Sequence, residues 1–256
     1  MNSIIAIALN TYRESVRGKI LYTLLFFSVA IVFLSAIFGA VTIGDQVKII
    51  EDFGLMAISL FSVTLAVLSG ASLLHKELNK KTVYNILSKP VKRWQFLVGK
   101  QLGLLMTVSV MIALMTTGLI LFVFLFSREI NFLLIVASLF ITLELVIITA
   151  LAIFFSTIVI TPALAGLFTF AIFVAGRSVE YIPELIKVAS PGQEPFALQV
   201  IYWILPHLDK LSISDAAVYG ISPSLQQFGW AIIYSFSYSA ALLVLGSIFF
   251  RRRDFV

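Results

Sequence analysis

Apolar and polar positions along the chain sort into long, unbroken apolar runs separated by short charged stretches. Six runs read as membrane spans: 20–43, ended by Gly44 and Asp45; about 53–74; about 101–126, stopped by Ser127, Arg128 and Glu129; 132 to about 160, closed by Thr161 and Pro162; 162 to about 176; and 228–250, ended by Arg251, Arg252 and Arg253. At a rise of 1.5 Å per residue, about 20 residues cross the hydrocarbon, so every run but the fifth is long enough. The runs are continuous and do not alternate at period two, which excludes a transmembrane β-barrel. The expected fold is an all-α polytopic membrane protein, with residues 1–256 forming one membrane domain of six transmembrane helices.

Composition agrees. Of 256 residues, 60% are hydrophobic and only 12% charged, about half the charge that a soluble domain uses to cover its surface. The net charge of +5 sits in loops, where topology accounts for it, so it does not point to nucleic acid. The N-terminal stretch, the segment 75–100 and the C-terminus together hold thirteen Lys/Arg and three Asp/Glu; the segments 44–52, 127–131 and 177–227 hold five and nine. That asymmetry places both termini in the cytoplasm. It also requires an even number of spans, which favours counting the short fifth run.

Residues 2–18 place Ile4, Ile5, Ala8, Leu9, Tyr12 and Val16 on one side of a helix, with Asn10, Arg13, Glu14 and Arg17 opposite. This is the pattern of an amphipathic helix in the membrane interface. Arg13, Arg17 and Lys19 precede a full-length span with no small-residue cleavage site, so no cleavable signal is expected. Between the second and third spans lies a basic island, 75–100, with seven basic residues and one acid, Glu77. Residues 75–87 can form a short helix, which Ser88, Lys89 and Pro90 interrupt. A second helix restarts at Val91 and runs into the third span past Trp94 and Phe96. A helix–proline–helix elbow is more structure than topology needs, and it suits a docking element. Outside, Pro183, Pro191, Pro195, Pro206 and Pro223 divide 177–227 into short pieces. The apolar run 196–205 is too short to span; with Tyr202 and Trp203 it reads as a re-entrant or interfacial helix on the outer face.

Catalytic patterns are absent. Gly18-Lys19 and Gly99-Lys100 lack the rest of a phosphate-binding loop, and no G-x-S-x-G or H-E-x-x-H occurs. Without cysteine there are no disulfides or thiolate ligands. His75 and His207 fall on opposite sides of the membrane, so no metal site is expected. Glu144 is the one acid deep in a span; such a group faces protein or water by default. It is a candidate for the translocation path or a hydrogen-bonded structural group near Thr142 or Thr149, with no intramembrane Lys or Arg partner evident. Gly99 and Gly103 form a G-x-x-x-G at the start of the third span, a candidate close-packing face. Internal repeats and low-complexity stretches are not apparent.

The island resembles the cytoplasmic loop of ABC-2 class permeases, the membrane subunits of ATP-binding-cassette exporters, including the nitrous-oxide-reductase maturation type. Glu77, Thr82, Leu87, Ser88, Pro90, Val91, Arg93, Gly99 and Lys100 match the loop pattern, while Asn79-Lys80-Lys81 stands where the family often has a glycine. Thr11, Arg13, Glu14, Arg17 and Lys19 resemble the family's amphipathic start. Residues 205–220, with Pro206 and Asp209 next to the aromatic pair Tyr202 and Trp203, resemble its outer segment. The resemblance implies a permease in a prokaryotic cytoplasmic (inner) membrane, paired as a homodimer or pseudo-dimer and seated on two copies of a separate ATPase subunit. That subunit binds ATP and Mg²⁺, so this chain needs no cofactor of its own and is not itself an enzyme. The island would be the coupling helix, carrying ATP-driven closure of the ATPase into a shift between access states. Three rivals stay open: a mechanical transmitter acting on an outer-face or periplasmic partner, a proton-coupled carrier using Glu144, and a lipid-modifying enzyme, which the missing His, Cys and Ser motifs disfavour.

Overall fold

A backbone surrounded by lipid must satisfy its own hydrogen bonds, so apolar runs of this length fold as helices. The computed structural model describes residues 3–41, 45–79, 92–183 and 196–252, and every regular element among them is helical. In order these are α1 (Ser3–Val16), α2 (Lys19–Val41), α3 (Gln46–Asn79), α4 (Arg93–Ser127), α5 (Leu133–Ile158), α6 (Pro162–Arg177), α7 (Phe196–Ile204), α8 (Ser214–Val218) and α9 (Leu225–Arg252). Short 3₁₀ turns at Val179–Tyr181 and Asp209–Leu211 join the pieces after α6.

Local chemistry sets the helix ends. Lys92, in extended geometry, precedes α4, and its backbone N–H donates to Gln95 Oε1 at 3.1 Å. Arg128 closes α4 in the left-handed conformation, φ 59°, with its N–H on the Phe124 carbonyl at 3.0 Å, a position more often given to glycine. Thr161 caps α6 through its side chain, and Pro162 takes the first helical position, where its missing N–H costs nothing.

Among the described residues, five helices are long and apolar enough to cross a membrane: α2, α3, α4, α5 and α9. The expected sixth, α6, has 16 residues, about 24 Å at 1.5 Å per residue against a hydrocarbon core of about 30 Å. The short fifth run of the sequence is thus a short helix here too, and by length only the other five cross on their own. Two loop boundaries also move. The stretch 44–52, read as a loop because it carries Asp45, Lys48, Glu51 and Asp52, is mostly the first turns of α3. There Asp45 and Lys48 pair at 2.7 Å across one turn, and the Lys48 ammonium, hydrogen-bonded to Asp45, holds that carboxyl below its ordinary value. At its other end α3 runs on to Asn79. Residues 75–79 thus continue α3 beyond its apolar part, Gln46–Leu73, and do not start a separate helix, since no breaker follows Leu74.

α5 is the central and most buried of the five, and it packs against α3, α4, α6, α8 and α9. Leu145, Ile147, Ile148 and Ala150 in its middle are fully buried. α2 lies at the periphery against α3 and α4, showing Tyr22, Phe26, Phe27 and Phe33 outward. α1 is laid along α4.

Candidate functional site

The candidate residues fall into three groups: a clamp at the α1 end of the bundle, a polar network inside it, and a folded segment at the opposite end.

At the α1 end, Arg93 opens α4 and reaches the last turns of α9. Its Nη1 donates to the Phe250 carbonyl, and its guanidinium lies 5.5 Å from the Phe250 ring. Phe250 in turn stacks on Phe96, with centroids 6.2 Å apart and planes 8° from parallel. Lys100, buried, sets its ammonium 5.6 Å from the Phe96 ring. A cation at helix carbonyls near a C-terminus opposes the negative end of the dipole. Arg93 thus ties the entry of α4 to the exit of α9.

The two glycines of α4 receive α1. A Cβ on Gly99 would lie 2.8 Å from Ile7 Cβ; one on Gly103 would lie 2.6 Å from Thr11 Cβ and against the Ala8 carbonyl. The G-x-x-x-G is a close-packing face, and its partner is α1. The buried face of α1 is Ala8 and Thr11, with the Thr11 hydroxyl donating to the Ile7 carbonyl at 2.9 Å. Ile5 and Leu9, expected on the same stripe, are exposed on its flank. Arg13, Glu14, Arg17 and Lys19 are exposed, as an interfacial polar face requires. Glu77 lies in the last turn of α3. Thr82, Leu87, Ser88 and Pro90 lie outside the described residues.

Inside the bundle, Glu144 is fully buried, and its partner is Arg177. Arg177 Nε donates to Glu144 Oε1 at 2.9 Å, and Nη2 donates to Oε2 at 2.8 Å and to Ser59 Oγ at 2.8 Å. This corrects the expectation that Glu144 lacked a cation. Measured from the α5–α6 break, Glu144 and Arg177 both lie about 21–22 Å along their helices, which brings them level. Thr142 and Thr149 are engaged elsewhere: Thr142 donates to the Ser138 carbonyl, and Thr149 accepts from Gln101 Nε2 at 2.8 Å. A second buried carboxylate, Glu51, accepts from Asn131 Nδ2 at 3.1 and 3.2 Å. Neither Glu51 nor Asn131 stood out in the sequence, because both sat in stretches that read as loops.

At the far end the chain after α7 folds back onto the bundle. Leu208 N–H donates to the Gly176 carbonyl at 3.2 Å, capping α6. The approach is close enough that a Cβ on Gly176 would lie 2.7 Å from the Pro206 carbonyl oxygen. Two tyrosines one turn apart on α9 hold the same segment: Tyr234 Oη accepts from His207 N–H at 2.8 Å, and Tyr238 Oη donates to the Ile204 carbonyl at 2.9 Å. Tyr202 packs its ring at 4.7 Å on His207. Trp203 points outward, 80% exposed. Asp209 starts the 3₁₀ turn, with Oδ1 buried. Among the described residues, no three His, Cys, Asp or Glu side chains come together to hold a metal ion.

In comparison with known proteins, the sequence model of the ABC-2 family transporter proteins matches residues 5–255. No curated protein matches the chain.

Proposed function

The chain belongs to the ABC-2 family of transporter proteins, and from that membership we propose that this permease subunit is the membrane half of an ATP-driven exporter. Two copies of a separate ATPase bind ATP and Mg²⁺ and seat on residues 75–100 of two identical permease chains. Both termini and that segment face the cytoplasm, in a prokaryotic inner membrane. α6, short as it is, makes the sixth passage together with the segment that caps it.

The observation that carries this reading is the way the island is mounted. On one side it continues α3, and on the other it enters α4 at Arg93, which grips the last turns of α9. α3, α4 and α9 all pack on α5. Force applied between residues 79 and 93 is therefore delivered at once to three long helices around a common centre. ATP-driven closure of the ATPase pair shifts the balance between two arrangements of that bundle.

The mechanical-transmitter reading keeps one observation of its own. Tyr234 and Tyr238 tie the outer segment directly to α9, so movement of α9 carries the far end of the molecule with it. The proton-carrier reading loses ground, because both carboxylate oxygens of Glu144 are engaged by Arg177.

Purification from native membranes in mild detergent tests the proposal. A nucleotide-hydrolysing subunit in equal copy number is expected to accompany the chain and to be lost with Pro90→Ala or Glu77→Lys. A chain that purifies alone, from an extract without associated ATP hydrolysis, would contradict it.

A further inference from the structure

A cavity of about 620 Å³ opens between α7, the Asp209–Leu211 turn and the first turns of α9, with Phe140 of α5 behind it. That volume lies within the range of small-ligand sites. We propose that it binds one acidic membrane phospholipid, with the head at Lys210 and Gln227 and one acyl chain against Phe140 and Ala231.

The polar lining is rich in donors, with His207 and Tyr202 also present and able to accept as well as donate. Lys210 carries an ammonium, which can only donate. The Gln227 carbonyl oxygen already accepts the Ser224 N–H at 2.9 Å, which leaves its NH₂ to be satisfied. Trp203 and Trp230 add indole N–H groups, donors only. The Tyr234 oxygen accepts from His207 N–H, so its own hydrogen is left to donate. No carboxylate is among the lining residues. Such a set is matched by a ligand rich in acceptors and negative in charge.

The rest of the cavity argues for a lipid over a soluble anion. Trp203 and Trp230 are 80% and 63% exposed, and Ile204 and Ile233 beside them are exposed as well. The mouth thus lies on an apolar outer surface, where these side chains of α7 and α9 are left exposed by the described residues. Depth matches polarity too. Gln227 lies in the first turn of α9, and Tyr234 lies about 10 Å further along it. The polar end of the cavity sits at the helix start, where headgroups are, and the aromatic end sits deeper. The inference does not depend on a partner ATPase.

Tryptophan emission tests it. The chain has three tryptophans; Trp94→Phe leaves only the two at this cavity. The full-length protein, delipidated in detergent, is titrated with phosphatidylglycerol carrying brominated acyl chains, with brominated phosphatidylcholine as control. The expected result is saturable quenching at a concentration roughly tenfold lower for the acidic lipid, the size of one charge-assisted contact. Lys210→Gln, on the surface and folding normally by thermal melt, is expected to erase that preference. Ala231→Phe, which fills the cavity, is expected to remove the saturable phase. Linear, headgroup-independent quenching would mean exposed aromatic rings and no site. A preference that survives Lys210→Gln, or quenching relieved by millimolar inorganic phosphate, would likewise overturn the proposal.

Discussion

Arg177 meets Glu144 in a two-pronged ion pair that joins the end of the short helix α6 to the middle of α5, and it reaches Ser59 of α3 with the same nitrogen. The pair places the C-terminal end of α6 inside the bundle, level with a residue about 16 Å from the start of α5. That fixes how far α6 runs along the bundle. Leu208, by donating to Gly176, then provides the polar contact that a helix ending in the interior needs.

Arg177→Leu leaves Glu144, with no exposure of its own, buried without its cation. Breaking one side of a buried pair costs about 3–5 kcal/mol, and because Arg177 is 32% exposed the lower end is expected. Glu144→Gln costs less, since Arg177 can turn outward. Combining the two, Glu144→Gln with Arg177→Leu, recovers part of the loss, since no charge is then left buried and unpaired. Thermal unfolding of the four proteins in detergent measures this, and strictly additive losses would contradict it. Transport by Glu144→Gln is expected to track the amount of folded protein. Full folding with no transport would restore Glu144 to the translocation path.

Gly103→Ala drives a methyl into the α1 backbone, whereas Gly118, on the same helix, has nothing within 4 Å. Overpacking at the first site is expected to cost about 1–3 kcal/mol. Gly118→Ala gains up to about 1 kcal/mol of helix propensity. Melting of the two variants side by side distinguishes a specific seat for α1 from a general intolerance of α4, because the latter would destabilise both.

Arg93→Ala removes the link between α4 and the Phe250 carbonyl. The folded state loses about 1–2 kcal/mol, the scale of a partly buried cation at a helix C-terminus. Transport per ATP hydrolysed by the reconstituted complex is expected to fall much further than stability does, with Arg93→Lys intermediate. Unchanged coupling in the alanine variant would remove the clamp from the transmission path.

Tyr234→Phe strips the acceptor from the His207 amide. One hydrogen bond of this kind contributes about 0.5–1.5 kcal/mol, so amide exchange at His207 is expected to quicken by up to roughly tenfold, 1.4 kcal/mol being a factor of ten. Tyr238→Phe, which removes a donor to the Ile204 carbonyl, should leave the His207 amide less affected. Equal protection in all three proteins would mean that the segment after α7 is held by something other than α9.

The long apolar runs, the break at Thr161 and Pro162, and the restart of a helix just after Pro90 were legible because each rests on local chemistry. What was not legible depends on residues far apart in sequence. Arg177 follows an apolar run and precedes a polar stretch, so it read as an outer-loop charge; only the α5–α6 hairpin brings it to Glu144, 33 residues away. Glu51, among Asp45, Lys48 and Asp52, looked like loop for the same reason, until Asn131 met it from the far side of α4. The glycine pair was visible on α4, but which helix it received was not. Both sides of the Gly103 contact are small residues, and small residues carry no periodic signal.

A coupling segment at residues 75–100 must touch an ATPase subunit. The chain has no cysteine, so a single introduced thiol reports one place. Leu87→Cys, carrying a thiol-linked photo-crosslinker and irradiated in native membranes, is expected to capture a nucleotide-binding subunit in a yield that changes when ATP is added. Tyr219→Cys, at the opposite end of the bundle and exposed, is expected to capture none. Capture of the same proteins from both positions, or of lipid alone from Leu87→Cys, would contradict the account.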